Sequence, residues 1–227
     1  MLNTKDIKTG GSSTPKILQP GNQTLTIHSV ELEEFKFKPG GLHIILHCEG
    51  EDLGEDFEGF FIDKTNESLG RYKGQVGRIK ASEYAFADGT TKSGIPVSRD
   101  QDMLKFLKTL CIELDCLSWL EDQDGKHPTI ESLMRKFNED KPFKGKWMNT
   151  CVAGKEYLNK EGYTNYELFL PKFSKAGVPF VGVGKAKDKV IMFNPADHIR
   201  KKNVENVQGF EGGEQTDSSK VSSDFKL

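Results

Sequence analysis

Apolar residues recur along this chain at two different spacings. Leu25 and Ile27, then Val30 and Leu32, alternate with polar neighbours, and the single break at His28 and Ser29 predicts a bulge in a first strand. Phe35, Phe37, Pro39, Gly40 and Gly41 make an aromatic turn. Leu42, Ile44, Leu46 and Cys48 then alternate against His43, Ile45 and His47, which completes a hairpin. Phe57 to Ile62, past an acidic loop, reads as a third strand, so these three are expected to form an antiparallel meander. Leu69 to Ser98 breaks the pattern, being Gly-rich and basic with scattered aromatics, and reads as a functional excursion.

The spacing changes to three and four at Met103, Leu104, Leu107, Leu110, Cys111 and Leu114, which predicts a helix starting near Asp100 with Ser98 and Gln101 as its capping box. Thr129 as N-cap, with Ile130, Leu133, Met134 and Phe137 as the buried stripe, predicts a shorter helix that stops between Asn138 and Pro142. Period two returns at Phe143. Lys144 to Tyr157 and Tyr163 to Leu170 flank Asn159, Lys160, Glu161 and Gly162, a composition suited to a hairpin turn. Val178 to Val183 and Lys189 to Phe193 would add short strands.

Fifteen Phe, five Tyr and two Trp with 23 Gly and nine Pro favour short strands and many turns, hence a mainly β domain with helical insertions. The polar ends divide the 227 residues into a flexible leader at 1–20, a domain at 21–202 and a disordered acidic tail at 203–227. A leader without an apolar h-region, and no run near the ~18 apolar residues of a membrane span, point to a cytoplasmic protein without membrane contact. Cys48, Cys111, Cys116 and Cys151, none in a C-x-x-C pair, read as reduced core residues.

Charge is sorted into blocks. Lys141 to Lys189 holds ten Lys against four acidic residues, and Arg71 to Lys92 holds five basic residues against Glu83 and Asp88. Glu49 to Glu58 holds six acidic residues and no basic one, and 203–227 has five acidic against two basic. Such sorting gives a nearly neutral chain a polyanion-binding face.

Familiar catalytic patterns are missing. His43 and His47, four apart on a strand, would sit ~13 Å apart and do not make a zinc pair. Glu49, Glu51, Asp52, Glu55, Asp56 and Glu58 form one loop, whereas two-metal sites gather carboxylates from several elements. Gly182-Val183-Gly184-Lys185 lacks the Walker spacing, and Gly74-Gln75-Val76-Gly77 has the GxxG spacing of a KH clamp without its helices. No Gly-x-Ser-x-Gly elbow is present, and no Cys has an evident His partner. The expectation is a non-enzymatic module without a cofactor or metal.

What remains is a constellation of cations interleaved with aromatics. It occurs at Arg71, Tyr72, Lys73, Arg78, Lys80, Tyr84 and Phe86, and again at Lys144, Lys146, Trp147, Lys155, Tyr157, Lys160, Tyr163, Tyr166, Phe169, Lys172 and Lys175. Lys and Arg neutralise phosphates while exposed rings stack on unpaired bases, so the pattern points to single-stranded nucleic acid. Trp147, Phe169 and several of the Tyr equally suit a core.

The run Leu69-Gly70-Arg71-Tyr72-Lys73-Gly74-Gln75-Val76-Gly77-Arg78-Ile79-Lys80, the following helix, and Phe143-Lys144-Gly145-Lys146 leading into the Tyr157 to Tyr163 hairpin resemble phage-encoded single-stranded-DNA-binding proteins, especially those of crAss-like phages. The resemblance covers roughly Gly21 to Ile199. It implies an OB-like Greek-key barrel with a helical insertion between the third and fourth strands. It further implies a role in coating and protecting exposed strands during replication or recombination, with DNA the expected ligand and RNA left open. Family members often end in an acidic, aromatic-closed tail that recruits replication or recombination proteins. Phe225 stands nearest to that aromatic, although Lys226 and Leu227 follow it. The rival readings are a virion or assembly protein, in which the strands form a sandwich, and a metal-dependent nuclease using the Glu49 to Glu58 carboxylates.

Overall fold

The structure, a computed structural model, describes residues 15–171 and 192–201. The fold is mainly β. Its two longest early strands, β1 (Gly21–Glu34) and β2 (Leu42–Asp52), pair antiparallel, and the register slips between Ile27 and Ser29 at the anticipated bulge. Leu25, Ile27, Val30, Ile44, Leu46 and Cys48 turn inward. Among the described residues no other strand pairs with the second edge of β1 past Thr26, and there Asn138 closes it. Its Oδ1 accepts from the Val30 N–H at 2.8 Å and its Nδ2 donates to the Val30 carbonyl, so neither backbone group is left unpaired.

The expected third strand is corrected. Only Phe60–Phe61 (β3) is extended, and it pairs with Arg71–Tyr72 (β4) as a small separate hairpin. The strand beside β2 is instead β5 (Gly74–Lys80), part of the segment that reads in sequence as a functional excursion. Its glycines mark close approaches rather than turns. A Cβ at Gly74 would lie 2.3 Å from the Gly50 carbonyl oxygen, and one at Gly77 would lie 2.7 Å from a Leu18 methyl. Leu18 itself is buried, and Lys16 and Leu18 bond to the backbone of Val76 at 3.1 and 2.9 Å, so the packed chain extends N-terminal to Gly21.

A two-residue hairpin, β6 (Gly89–Thr90) with β7 (Pro96–Val97), leads into α1 (Arg99–Glu113), where the Ser98 hydroxyl accepts from the Gln101 N–H. Met103, Leu107, Leu110 and Cys111 are buried as anticipated; Leu104 is exposed and Phe106 takes the core position instead. A short α2 (Leu117–Asp122) was not anticipated. In α3 (Ile130–Asp140) Thr129 caps the start, and Ile130, Leu133, Met134 and Phe137 are all buried. These helices share one apolar core with the inward faces of the strands.

The chain returns as β8 (Trp147–Leu158) and β9 (Thr164–Phe169), an antiparallel pair. Asn159 Oδ1 accepts from the Glu161 and Tyr163 N–H groups and Gly162 takes φ +83°, the local chemistry of the anticipated turn. β9 runs parallel to β5, and β8 pairs antiparallel with β1. The pairing therefore closes a ring in the order β1, β2, β5, β9, β8 and back to β1, with α1 to α3 inserted between β5 and β8, its third and fourth strands along the chain. A single turn, α4 (Pro195–His198), delivers β10 (Ile199–Arg200) parallel to β8 beyond the end of β1. All four cysteines are buried free thiols. Among the described residues no helix is long and apolar enough to cross a membrane. The expected strand at Val178 to Val183, Lys172, Lys175, the tail and Phe225 lie outside the described residues, as does most of Lys189 to Phe193.

Candidate functional site

Alternation on β5 sends Ile79 into the core and Arg78 and Lys80 outward. On β8 the same rule turns Lys155 and Tyr157 outward, and on β9 it turns out Glu167, the cross-strand partner of Lys155. This outer face carries two adjoining grooves. One, about 470 Å³, is lined by Arg78, Lys80, Lys155, Tyr157, Tyr166 and Glu167. The other, about 570 Å³, is lined by Phe37, Lys38, His43, Tyr84 and Phe169 together with Lys80, Lys155 and Glu167, so those last three stand where the grooves meet. The β1–β2 turn bounds this face with Phe37, 89% exposed, and the β5–α1 connection adds Tyr84, 70% exposed. Tyr163 stands exposed on the β8–β9 turn, its carbonyl accepting from the Asn159 N–H.

The charges on this face are largely paired. Arg78 bonds Glu33 at 2.7 Å and approaches Glu31 at 3.7 Å, and Lys80 bonds Glu167. His47 meets Glu31 at 2.9 Å. Arg78 holds the Glu33 carboxyl below its ordinary value, chiefly through that hydrogen bond. Buried His43 rests edge-on against Phe35, and burial, then the Lys80 charge, lower its pKa. Lys38 and Lys155 make no ion pair among the described residues and are the groove cations left for an incoming anion.

The sequence-derived site is thus partly assembled and partly dispersed. Arg78, Lys80, Tyr84, Lys155 and Tyr157 line the grooves, and Tyr163 is exposed on the turn after β8. Tyr72 and Phe86 cannot stack on a ligand, each being 7% exposed. Tyr72 packs edge-on against His28, and Phe86 is held against Phe106 by two backbone bonds to Leu42. Arg71 lies over the Phe61 ring, 3.9 Å from its centroid, and Lys73 Nζ donates to the Phe57 carbonyl, so both serve the β3–β4 excursion. Lys146 donates to the Asp115 carbonyl near the helices, with Lys144 and Trp147 exposed beside it. Eight residue steps of strand separate Trp147 from Lys155, up to ~26 Å of extended chain. Phe37, Lys38 and His43 are groove residues that the sequence reading did not select. The alternation Phe35-Lys36-Phe37-Lys38 in a turn is the signal that marks the first two.

Two other constellations have structural duties. Glu49, first of the acidic run, accepts from the Lys73 and Gly74 N–H groups at 2.6 and 2.7 Å and bonds His28 at 2.6 Å. Among the described residues no three His, Cys, Asp or Glu side chains gather as a metal-holding group. Cys151 does meet a histidine that sequence spacing hid: its Sγ is 3.8 Å from His198 Nδ1. Burial pushes that thiol up to about 11, and the same Nδ1 accepts from the Asn194 N–H, which leaves a neutral buried thiol rather than an activated nucleophile.

No protein-family model, curated protein or solved structure matches this chain.

Proposed function

We propose that this chain binds single-stranded nucleic acid across the outer face of β2, β5, β9 and β8. The carrying observation is the pair of adjoining grooves in which Lys38 and Lys155 lie free among Phe37, Tyr84 and Tyr157. Such a face neutralises phosphates and offers rings to unstacked bases. The ring order supports an OB-type reading: counted within the ring it runs first, second, third, fifth, fourth, with the third and fifth parallel. In that fold the face of the second and third strands, flanked by the loops after the first and fourth, takes oligonucleotides. Here those loops carry Phe37 and Tyr163. Fold alone does not specify a task, so the reading rests on the face.

Contacts by ring faces and lysines, without a helix to read base edges, favour coating of exposed strands with little sequence preference. Protection of DNA strands during replication or recombination, as in the phage proteins it resembles, is the role proposed. The test is a titration of poly-dT, poly-U and duplex DNA against salt. Single strands should bind with a log–log salt slope of about −0.7 per phosphate neutralised. Duplex bound equally well at ~200 mM salt overturns the proposal.

A further inference from the structure

The ion pair between Lys80 and Glu167 stands at the junction of the two grooves, with Lys155 next to Glu167 across the β8–β9 pairing. Each groove offers exposed rings, Phe37 and Tyr84 on one side and Tyr157 on the other. A strand threading both would stack a base in each and bring the linking phosphate to this junction. There Lys155 is free, but Lys80 already holds a carboxylate.

We infer that Glu167 sets the affinity of this face by occupying on Lys80 the position of an internucleotide phosphate, which must displace it on binding. This rests on the single-strand reading above. Two oxygens of a carboxylate resemble two of a phosphate in charge and donor demand, and lysine serves either as a point charge. Displacement returns Glu167 to water. The exchange therefore favours an anion that brings stacking with it and disfavours small anions, which gain only the lysine. It also explains why a face proposed to bind a polyanion carries so many carboxylates: Glu31 and Glu33 hold Arg78 in the same manner.

The experiment measures anisotropy of a labelled dT oligomer over a salt series with wild type, Glu167→Gln, Lys80→Met and the double variant, with circular dichroism checking each fold. Glu167→Gln should tighten binding about two- to five-fold at ~50 mM salt, the range of exposed ion pairs. It should also steepen the log–log slope by about 0.7, one further phosphate. In the Lys80→Met background the same substitution should have under half that effect, because the lysine that Glu167 holds is gone. Glu156→Gln removes a carboxylate from the same groove without touching Lys80 and should have the smaller effect. Equal gains with and without Lys80, or from Glu156→Gln, would reduce Glu167 to one of several repelling charges and overturn the inference. Weaker binding by Glu167→Gln would make it a base contact and overturn it too. Wild type that binds no single strand defeats the proposed function itself, a different result from either.

Discussion

Strand β8 carries a lysine–aromatic cluster at each end, and the two look alike in sequence while differing in their surroundings. At its start, Lys144, Lys146 and Trp147 abut the helical insertion, and Lys146 is tied to the Asp115 carbonyl. At its end, Lys155 and Tyr157 face the grooves, with Tyr163 following in the turn. Both ends have exposed rings, Trp147 at 54%. The difference lies in company: Lys155 is surrounded by side chains from β5, β9 and the β1–β2 turn that form a concave wall, whereas Trp147 lines neither of the two grooves. Composition marks where stacking and charge coincide along the chain, and only the fold decides where they surround a ligand.

Charge reversal gives the sharpest separation. Lys38→Glu with Lys155→Glu should weaken binding of a dT oligomer roughly 100-fold at ~50 mM salt, through two lost phosphate contacts and new repulsion. Lys144→Glu should change it by less than about threefold, and neither change should unfold the protein, since exposed lysines stabilise little. Equal losses at the two ends, read by anisotropy, would abolish the distinction. Ring deletion follows the same division. Tyr84→Ala and Tyr157→Ala should each cost about 1–3 kcal/mol of binding, the usual worth of a base stack, while Trp147→Ala should cost under about 0.5 kcal/mol. A Trp147 variant as weak as the Tyr variants would place the strand's path along the whole of β8.

Most of the fold that is local was readable. The break at His28 and Ser29, the Ser98 and Thr129 caps and the Asn159 to Gly162 turn each have a chemistry confined to a few neighbouring residues. The third ring strand was hidden because its determinants are distant. Gly74 and Gly77 are small to admit Gly50 and Leu18, which approach from other segments, and glycines in sequence look the same in a turn and in a crowded strand. Tyr72 and Phe86 misled for the same reason: their burial depends on His28, Leu42 and Phe106, far along the chain. Losing β5 from the reading meant losing the wall that unites Arg78 and Lys80 with Lys155. Gly74→Ala tests that wall. Its Cβ would meet two carbonyl oxygens at 2.3 and 2.7 Å, which are backbone and cannot rotate away. A stability loss of about 1–3 kcal/mol in urea unfolding is expected. An unchanged midpoint would remove β5 from the ring and dissolve the groove end of the comparison.

The smallest expected effect is a pH response confined to the groove end. His43 lies beside Lys80 with Glu33 and Glu167 facing it, and burial first, then Lys80, keeps its pKa below the ordinary 6.5. The unfolded chain therefore takes up this proton at a higher pH than the folded one. The stability contributed is present above about pH 6.5 and is lost as pH falls toward the folded value. Binding carries the opposite sign. A bound strand brings phosphate charge to Lys38 and Lys155 in the groove that His43 lines, so the complex takes up the proton more readily and affinity rises as pH falls. Between ~pH 7 and ~pH 5.5, Tm should drop by ~2 °C more in wild type than in His43→Gln. Over the same interval single-strand affinity should rise about twofold in wild type and less in the variant. His198, whose pKa burial also lowers, is common to both proteins and cancels from the difference. The cluster at Trp147 has no such group, so a strand bound there would gain nothing from acid through His43. A pH dependence of affinity identical in wild type and His43→Gln would detach the strand from this end of the groove, leaving the two ends of β8 indistinguishable by titration.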